Sequence, residues 1–296
     1  MKKKLRINPI LKKELMVGSR SMKMSFAILG IDAFLTLIVI LVMASANMMT
    51  GFSGYDYSSL VWLFPILGCT ECGLLSLIVP IITSGSISGE RERQTLDIML
   101  TTPVSPFSIA LGKLGSAMVV VMMYMISSIP ILAIAFVLGG LNWGALLGLI
   151  GILLYLGIYV GSVGVFCSSF VKKSIVATIL TIAIGVGILV ITGVVFYAWI
   201  GISNYYSMKN GGSFSPGAAP LVMMFNPYSP LFDFILRTMS GTSLYEIIET
   251  AGNQSVVLGW IYKGWIPISV VLNLLIALGF LNLAARNICV TRNRKK

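Results

Sequence analysis

The sequence predicts an all-α polytopic membrane protein, and three observations support that fold class. Of the 296 residues, 57% are hydrophobic and only 10% are charged, whereas a soluble domain carries about 25% charged residues. The mean hydropathy is +0.94. The apolar residues are gathered into long runs of roughly 20 residues or more, the length that crosses a bilayer as a helix. We therefore expect a single transmembrane domain over residues 1–296.

Six apolar runs are long enough to cross the membrane. We predict spans at about 24–46, 61–85, 109–138, 143–170, 174–200 and 266–288. The first run is too long to be the core of a cleaved signal peptide, so it is expected to remain as a helix. In the fourth run, Gly157 and Gly161 lie four residues apart, which indicates close packing against a neighbouring helix.

The distribution of Lys and Arg predicts the orientation of these spans. Eighteen of the 21 basic residues fall in 1–23, 86–113, 172–173 and 286–296, all on one side of the predicted spans. The other side holds Lys209, Arg237 and Lys263. Because cytoplasmic flanks carry the excess of Lys and Arg, both termini are predicted to be cytoplasmic. The number of spans must then be even.

Residues 201–265 are predicted to form an external region that contains one further apolar segment. That segment, "LVMMFNPYSPLFDFILRTMS" at 221–240, includes Pro227, Pro230, Asp233 and Arg237. A seventh span here would place the basic C-terminal tail outside the cell. We therefore predict a re-entrant or interfacial helix before the last span, which requires that protein or water cover its irregular backbone.

The N-terminal segment 1–23 is predicted to form a basic amphipathic helix on the inner leaflet, in contact with membrane lipid. Asn8 is a candidate cap and Pro9 suits the first helical position. Apolar residues then recur at helical spacing, with basic residues between them. The alternative is an ordinary basic flank of the first span.

The densest run of mixed charge, residues 86–106, follows the second span. Ser88 is one of several candidate caps, and Glu90 and Glu92 would lie in the first turn of a new helix, where acidic side chains favour the helix dipole. Pro103 would end that helix. The prediction is a short cytoplasmic helix of about three turns.

The short helix would present a small apolar face made of Leu96, Met99 and Leu100. A face of that size is too small to form a core, so we expect it to bind a groove on a partner protein. The alternative is a solvated loop whose charges pair with one another. Acidic and basic residues nearly balance here, which makes docking on anionic lipid less favourable.

The stretch "ISGERERQTLDIMLTTPVSPFSIALGKL", residues 87–114, resembles the signature loop of permease subunits of type-2 ABC exporters. The matching positions are Glu90, Arg91, Glu92, Thr95, Leu96, Thr102, Pro103, Val104, Ser105, Gly112 and Lys113, with Gln94 where that family commonly has Gly. The segments "NPILKKEL" near the N-terminus and "NPYSPLFDFI" before the last span are also similar to the family.

The resemblance implies a half-transporter of the bacterial cell membrane. Two permease subunits, identical or homologous, would form the pathway, and two separate ABC-type ATPase subunits would bind ATP and Mg²⁺. The loop 86–106 would be the coupling helix. Its expected ATPase-coupling residues are Glu90, Arg91, Glu92, Arg93, Thr95, Leu96, Met99 and Leu100.

The chain itself offers little catalytic chemistry. It contains no Walker A motif and no histidine, so we expect no catalytic residue and no cofactor in this chain. The four cysteines lie in or beside apolar runs, and the pair Cys69 and Cys72 is expected to serve packing rather than a metal or redox site. We expect no metal ligands and no nucleic-acid partner.

Two acidic residues fall inside predicted spans. Asp32 lies in the first span, and Glu71 lies in the second between Pro65 and Pro80. A charged side chain at such a depth costs about 2.5 kcal/mol or more, so it normally faces the bundle interior or water. Contact with substrate and a purely structural hydrogen bond both remain open. The two prolines are expected to kink the second span.

Two further classes of function remain open at this point. A secondary transporter or ion channel would use Glu71 and Asp32 as ion sites. A non-transporting scaffold or sensor would display the external region 201–265.

Overall fold

The computed structural model describes residues 22–50, 60–96, 105–138, 142–210, 219–244, 246 and 264–293. Within these ranges the structure is helical and contains no strand. The helices are α1 (Met22–Thr50), α2 (Leu63–Glu92), α3 (Pro106–Leu138), α4 (Trp143–Phe170), α5 (Ser174–Asn210), a 3-10 helix (Ala219–Phe225), α6 (Ser229–Ser240) and α7 (Trp265–Asn293). The predicted N-terminal interfacial helix lies outside the described residues, apart from Met22 and Lys23 at the start of α1.

Six of these helices, α1 to α5 and α7, are long and apolar enough to cross a membrane. Each one coincides with a predicted span, so the predicted fold class is confirmed: the protein is an all-α, polytopic membrane protein. The helix α6 has 12 residues, too few to cross the roughly 30 Å hydrocarbon core of a bilayer.

The chain divides into two compact units. Unit 1 comprises residues 1–181 and 279–296, and unit 2 comprises residues 182–278. In unit 1, α2 packs against α4 and α3, and α1 packs against both α2 and α3. The buried apolar side chains of unit 1 come mainly from α2, α3 and α4.

Glycine permits the close approach of α4 to its neighbours. A Cβ on Gly164 would overlap the side chain of Thr83 on α2, and a Cβ on Gly161 would lie 2.6 Å from Leu114 Cδ1. Nearby, the Ser168 hydroxyl accepts hydrogen bonds from the backbone amides of Ile87 and Ser88, each at 2.9 Å. The contact between α2 and α4 is therefore tight and partly polar.

The end of α2 differs from the prediction. The span was expected to end near residue 85 and a new helix to begin with Glu90 and Glu92 in its first turn. Instead α2 continues to Glu92, which places both carboxylates in its last turn. The serines that looked like caps are buried: Ser84 bonds to Thr178 of α5, and Ser88 donates to the Ser84 carbonyl. Because these hydroxyls have partners inside the bundle, the polar sequence does not interrupt the helix.

The predicted kinks in α2 need a second correction. Pro65 lies in the first turn of α2, where a missing amide costs little. Only Pro80 lies inside this helix. One helix-interior proline therefore separates the middle of α2 from its C-terminal end.

Unit 2 shows why the 221–240 segment is not a seventh span. Its core contains Phe196, Trp199, Met223, Met224, Leu244 and Trp265. The Met224 carbonyl accepts hydrogen bonds from Ser269 and Asn273, both at 2.9 Å. Protein groups thus satisfy the irregular backbone before α6, as such a segment requires. Asn273 thus links α7 to the 3-10 helix.

The charges of α6 are paired within unit 2. The Asp233 carboxylate is buried and accepts hydrogen bonds from Arg237 at 2.9 Å and from the Leu244 amide at 2.7 Å. Gly241 ends the helix in the left-handed conformation with φ 69°, which glycine adopts without steric cost. These contacts make α6 a short, protein-anchored helix.

Candidate functional site

The last turn of α2 carries three consecutive charged side chains, and each one binds a different helix of unit 1. We call Glu90, Arg91 and Glu92, with their partners, the α2 end cluster. The first contact is an ion pair with α3: Lys113 Nζ lies 2.8 Å from Glu90 Oε1. The Lys113 side chain is only 6% exposed and that of Glu90 is 30% exposed, so water screens this pair less than it would a surface pair.

Arg91 binds the C-terminal end of α4. Its Nη2 donates to the Ser169 carbonyl at 3.2 Å, and its Nη1 lies 3.4 Å from the Val171 carbonyl. The last carbonyls of a helix lack partners within the helix and carry partial negative charge, so a guanidinium stabilises this end.

Glu92 binds the N-terminal end of α5. Its Oε1 accepts a hydrogen bond from the Ser174 amide at 2.8 Å, and its Oε2 accepts one from the Ser174 hydroxyl at 3.1 Å. Ser174 is the first residue of α5, where unpaired amides carry partial positive charge. The α2 end cluster therefore ties one helix end to α3, α4 and α5 together.

The remaining predicted coupling residues are placed differently. Arg93 and Thr95 are exposed, whereas Leu96 is buried. Gln94 has a positive φ of 59°, the conformation for which glycine, common at this position in the resembled family, is best suited. Met99 and Leu100 lie outside the described residues. Sequence reasoning thus identified the cluster, but the structure uses three of its residues for contacts within the chain.

A second group of polar side chains lies within the spans of unit 1. We call it the buried acidic cluster; its members are Asp32 of α1, Glu71 of α2, and Tyr124, Ser127 and Ser128 of α3. Glu71 is 0% exposed, and within the described part of the chain neither of its carboxyl oxygens has a hydrogen-bond partner. Ser128 lies beside it, but the Ser128 hydroxyl donates to the Met125 carbonyl at 3.1 Å.

The structure brings Asp32 and Glu71 into one site, although they lie on different helices. Asp32 Oδ1 accepts a hydrogen bond from the Ser127 hydroxyl at 3.2 Å and interacts electrostatically with Glu71. Tyr124 interacts electrostatically with both acids. It is 2% exposed, and its hydroxyl has no hydrogen-bond partner.

Sequence reasoning missed Tyr124. A tyrosine in the middle of an apolar helix was the available signal, since its hydroxyl needs a partner when it is buried. The cysteines Cys69, Cys72 and Cys167 are free thiols.

The sequence was compared with known proteins. Residues 72–286 match the family model described as ABC-2 family transporter protein. The matched range includes the α2 end cluster and covers well over half of the chain. A search of curated proteins found no match.

Proposed function

Because the chain belongs to the ABC-2 transporter family, we propose that this ABC transporter permease works as half of an ATP-driven exporter of the bacterial cell membrane. Two permease copies, identical or homologous, would form the pathway. Separate ABC-type ATPase subunits, carrying ATP and Mg²⁺, would bind the segment 86–106. ATP hydrolysis would then take place on those partners.

The α2 end cluster is the observation that supports this coupling role. A partner that moves the end of α2 would act at once on α3, α4 and α5, because Glu90, Arg91 and Glu92 each bind a different one of these helices. The exposed side chains of Arg93 and Thr95 are then available for the partner itself.

The proposed division of labour separates contact residues from transmission residues. Arg93 and Thr95 would touch the ATPase, whereas Glu90, Arg91 and Glu92 would pass its movement to the spans. The resemblance seen in the sequence implied that all of them contact the ATPase, so the proposal sharpens that expectation. A switch of this kind requires that the ATPase bind the two positions of the segment with different affinity.

Co-purification tests the docking step. The chain is co-expressed with an ATPase encoded beside it, and the retained ATPase is measured for the wild type, Arg93→Glu and the control Lys172→Glu. Lys172 is also exposed, but it lies in the turn between α4 and α5. We expect Arg93→Glu to lower retention several-fold and Lys172→Glu to leave it unchanged. Equal loss in both variants would contradict a specific role for the segment.

Transport direction is tested in inverted membrane vesicles. An exporter moves its substrate into such vesicles when ATP is added outside. The mass of the purified complex gives the number of permease and ATPase copies. Transport by the permease alone, without any ATPase, would instead support the secondary transporter or channel considered from the sequence.

The orientation is part of the proposal. Eighteen of the 21 Lys and Arg residues lie on the side assigned to the cytoplasm, and this bias is the standard determinant of topology. Reporter fusions at both termini should read as cytoplasmic. An external reading at the N-terminus, two spans before the segment 86–106, would place that segment out of reach of an ATPase.

A further inference from the structure

We propose that the buried acidic cluster is a binding site for a small monovalent cation, with Glu71, Asp32 and Tyr124 supplying oxygen ligands. The site lies wholly within unit 1, and nothing in the proposed exporter role requires it. The proposal therefore stands or falls separately from the exporter.

The Glu71 carboxyl group is fully buried, and neither of its oxygens accepts a hydrogen bond from the described residues, although Ser128 lies beside it. An ionised carboxylate in such surroundings is costly unless a positive charge or several donors compensate it. The Tyr124 hydroxyl is a second buried oxygen without a partner in the same site, and hydroxyl groups bind both protons and hard cations.

The neighbouring helices supply no positive charge to Glu71. The helix α4 contains no Asp, Glu, Lys or Arg. Lys113, the single basic residue of α3, is paired with Glu90. On α1, Lys23 lies nine residues before Asp32, which is roughly 13 Å along the helix. The groups that interact with Glu71 are Ser128, Asp32 and Tyr124, all of them acidic or neutral.

The type and number of ligand atoms indicate which cation the site would bind. All the ligand atoms are oxygens, which prefer hard cations over transition metals. Among the described residues, no three His, Cys, Asp or Glu side chains are grouped into a metal site, so the cluster offers two carboxylates at most, too few for a polyvalent metal ion held by protein ligands. A calcium ion takes 6–8 oxygen ligands and magnesium keeps several waters, more than this enclosed site offers. A single positive charge neutralises Glu71, while the partly exposed Asp32 keeps its bond from Ser127.

A proton and a sodium ion share this chemistry, and they differ in what they do to the hydroxyls. A proton on Glu71 turns the carboxyl group into a donor toward Tyr124 or Ser128. A sodium ion instead draws the same oxygens together as ligands.

Carbodiimide labelling separates the two. The full-length chain in lipid nanodiscs is treated with dicyclohexylcarbodiimide, which modifies protonated carboxyl groups in apolar surroundings, and the modified residue is located by peptide mass spectrometry. Labelling is measured over a range of pH, with sodium chloride or with choline chloride at equal ionic strength. We expect Glu71 to be labelled and Glu71→Gln to remove that label.

Each outcome has a defined meaning. Protection by sodium but not by choline assigns a sodium site. If the extent of Glu71 labelling decreases as the pH rises and does not change with sodium concentration, the site binds a proton. The absence of label on Glu71 at every pH, or a label that responds to neither pH nor sodium, would overturn the proposal. These wild-type measurements do not depend on any variant folding.

Tyr124→Phe and Tyr155→Phe form a matched pair. Both tyrosines are buried and both hydroxyls lack hydrogen-bond partners, but Tyr155 interacts electrostatically with Tyr159 rather than with the acids. We expect Tyr124→Phe to shift the protecting sodium concentration, or the proton concentration, by about tenfold, the effect of losing one hydrogen bond to a charged group. Tyr155→Phe should not shift it. Equal curves for the two variants would contradict the role of Tyr124 as a ligand.

Discussion

One helix, α2, carries acidic side chains in two very different situations. Glu90 and Glu92 lie in its last turn, and each has a partner on another helix. Glu71 lies 19 residues earlier, roughly 28 Å along the helix, and has none. A glutamate whose charge is matched by a partner on another helix therefore stabilises the contact between the two helices. Where its charge is unmatched inside the protein, it is a candidate to bind something from outside.

The energetic terms differ in the same way. Glu90 and Glu92 retain contact with water, so they lose little solvation. The Glu90–Lys113 ion pair and the hydrogen bonds from Ser174 to Glu92 are each worth the modest amount typical of partly exposed contacts. Glu71 loses its solvation entirely. Neutral substitutions in the α2 end cluster should therefore lower the free energy of unfolding only slightly. A neutral substitution of Glu71 in the buried acidic cluster should instead raise it.

The largest expected effect comes from separating α2 from α4. Gly164→Val would force the new side chain into Thr83 and should destabilise the protein by about 3 kcal/mol, the upper range for overpacking a close-packed interior. Both clusters should be disturbed together. Gly151→Val is the control on the same helix, since a Cβ there meets nothing within 4 Å. Thermal unfolding of the chain in nanodiscs measures the stability of both variants. Equal stability would show that α4 can move away from α2 to accommodate the larger side chain.

The next effect removes the partner of Glu90. Lys113→Met keeps an unbranched side chain, one atom shorter, but leaves the Glu90 carboxylate without its ion pair. We expect a loss of about 1–2 kcal/mol, below the value for a fully buried pair because Glu90 is partly exposed. The double variant Lys113→Met with Glu90→Gln should lose less than the sum of the two single variants. Strict additivity would mean that the pair contributes nothing.

Glu71→Leu should have the opposite sign. It removes a buried carboxyl group that has no partner and replaces it with an apolar side chain of similar size, which should raise the free energy of unfolding by about 1 kcal/mol. Because leucine has no carboxyl group, this variant should also carry no carbodiimide label at position 71. A clear loss of stability would show that Glu71 is compensated within the protein, which would remove the contrast with Glu90.

The smallest effect concerns the start of α5. Glu92→Ala removes the acceptor for the Ser174 amide and should cost about 0.5–1 kcal/mol, as for the loss of a helix cap. Arg93→Ala, an exposed neighbour, should change stability by less than about 0.5 kcal/mol. Hydrogen exchange at the first turn of α5 reports the difference locally. Equal exchange in both variants would show that Glu92 does not hold this helix end.

The spans and the presence of acids within them could be predicted from the sequence, because hydropathy and charge are properties of short segments. The signature loop was equally local and led to the family that the comparison then showed. The end of α2 could not be predicted in this way. Its serines resemble caps in isolation, and only contacts such as that of Ser84 with Thr178, 94 residues away, show that they are buried within the bundle.

The composition of the buried acidic cluster was also beyond the sequence. Asp32 and Glu71 stood out as ionisable groups at membrane depth, and contact with substrate and a structural hydrogen bond were both left open for them. Tyr124 did not stand out, because its role depends on which face of α3 meets α2. The proposal of a cation site arises only once Tyr124 is found buried, without a hydrogen-bond partner for its hydroxyl among the described residues and in electrostatic interaction with both acids.

The sequence by itself thus determined the six spans, the all-helical fold class and the charged segment after the second span, since each follows from the polarity of consecutive residues. The tertiary structure decided which charges are matched. Glu90 meets Lys113 across 23 residues, and Glu92 meets Ser174 across 82, while no described residue makes a hydrogen bond to the oxygens of Glu71. The physical reason is that solvation and pairing depend on what surrounds a charge in space, and folding brings distant residues to that point.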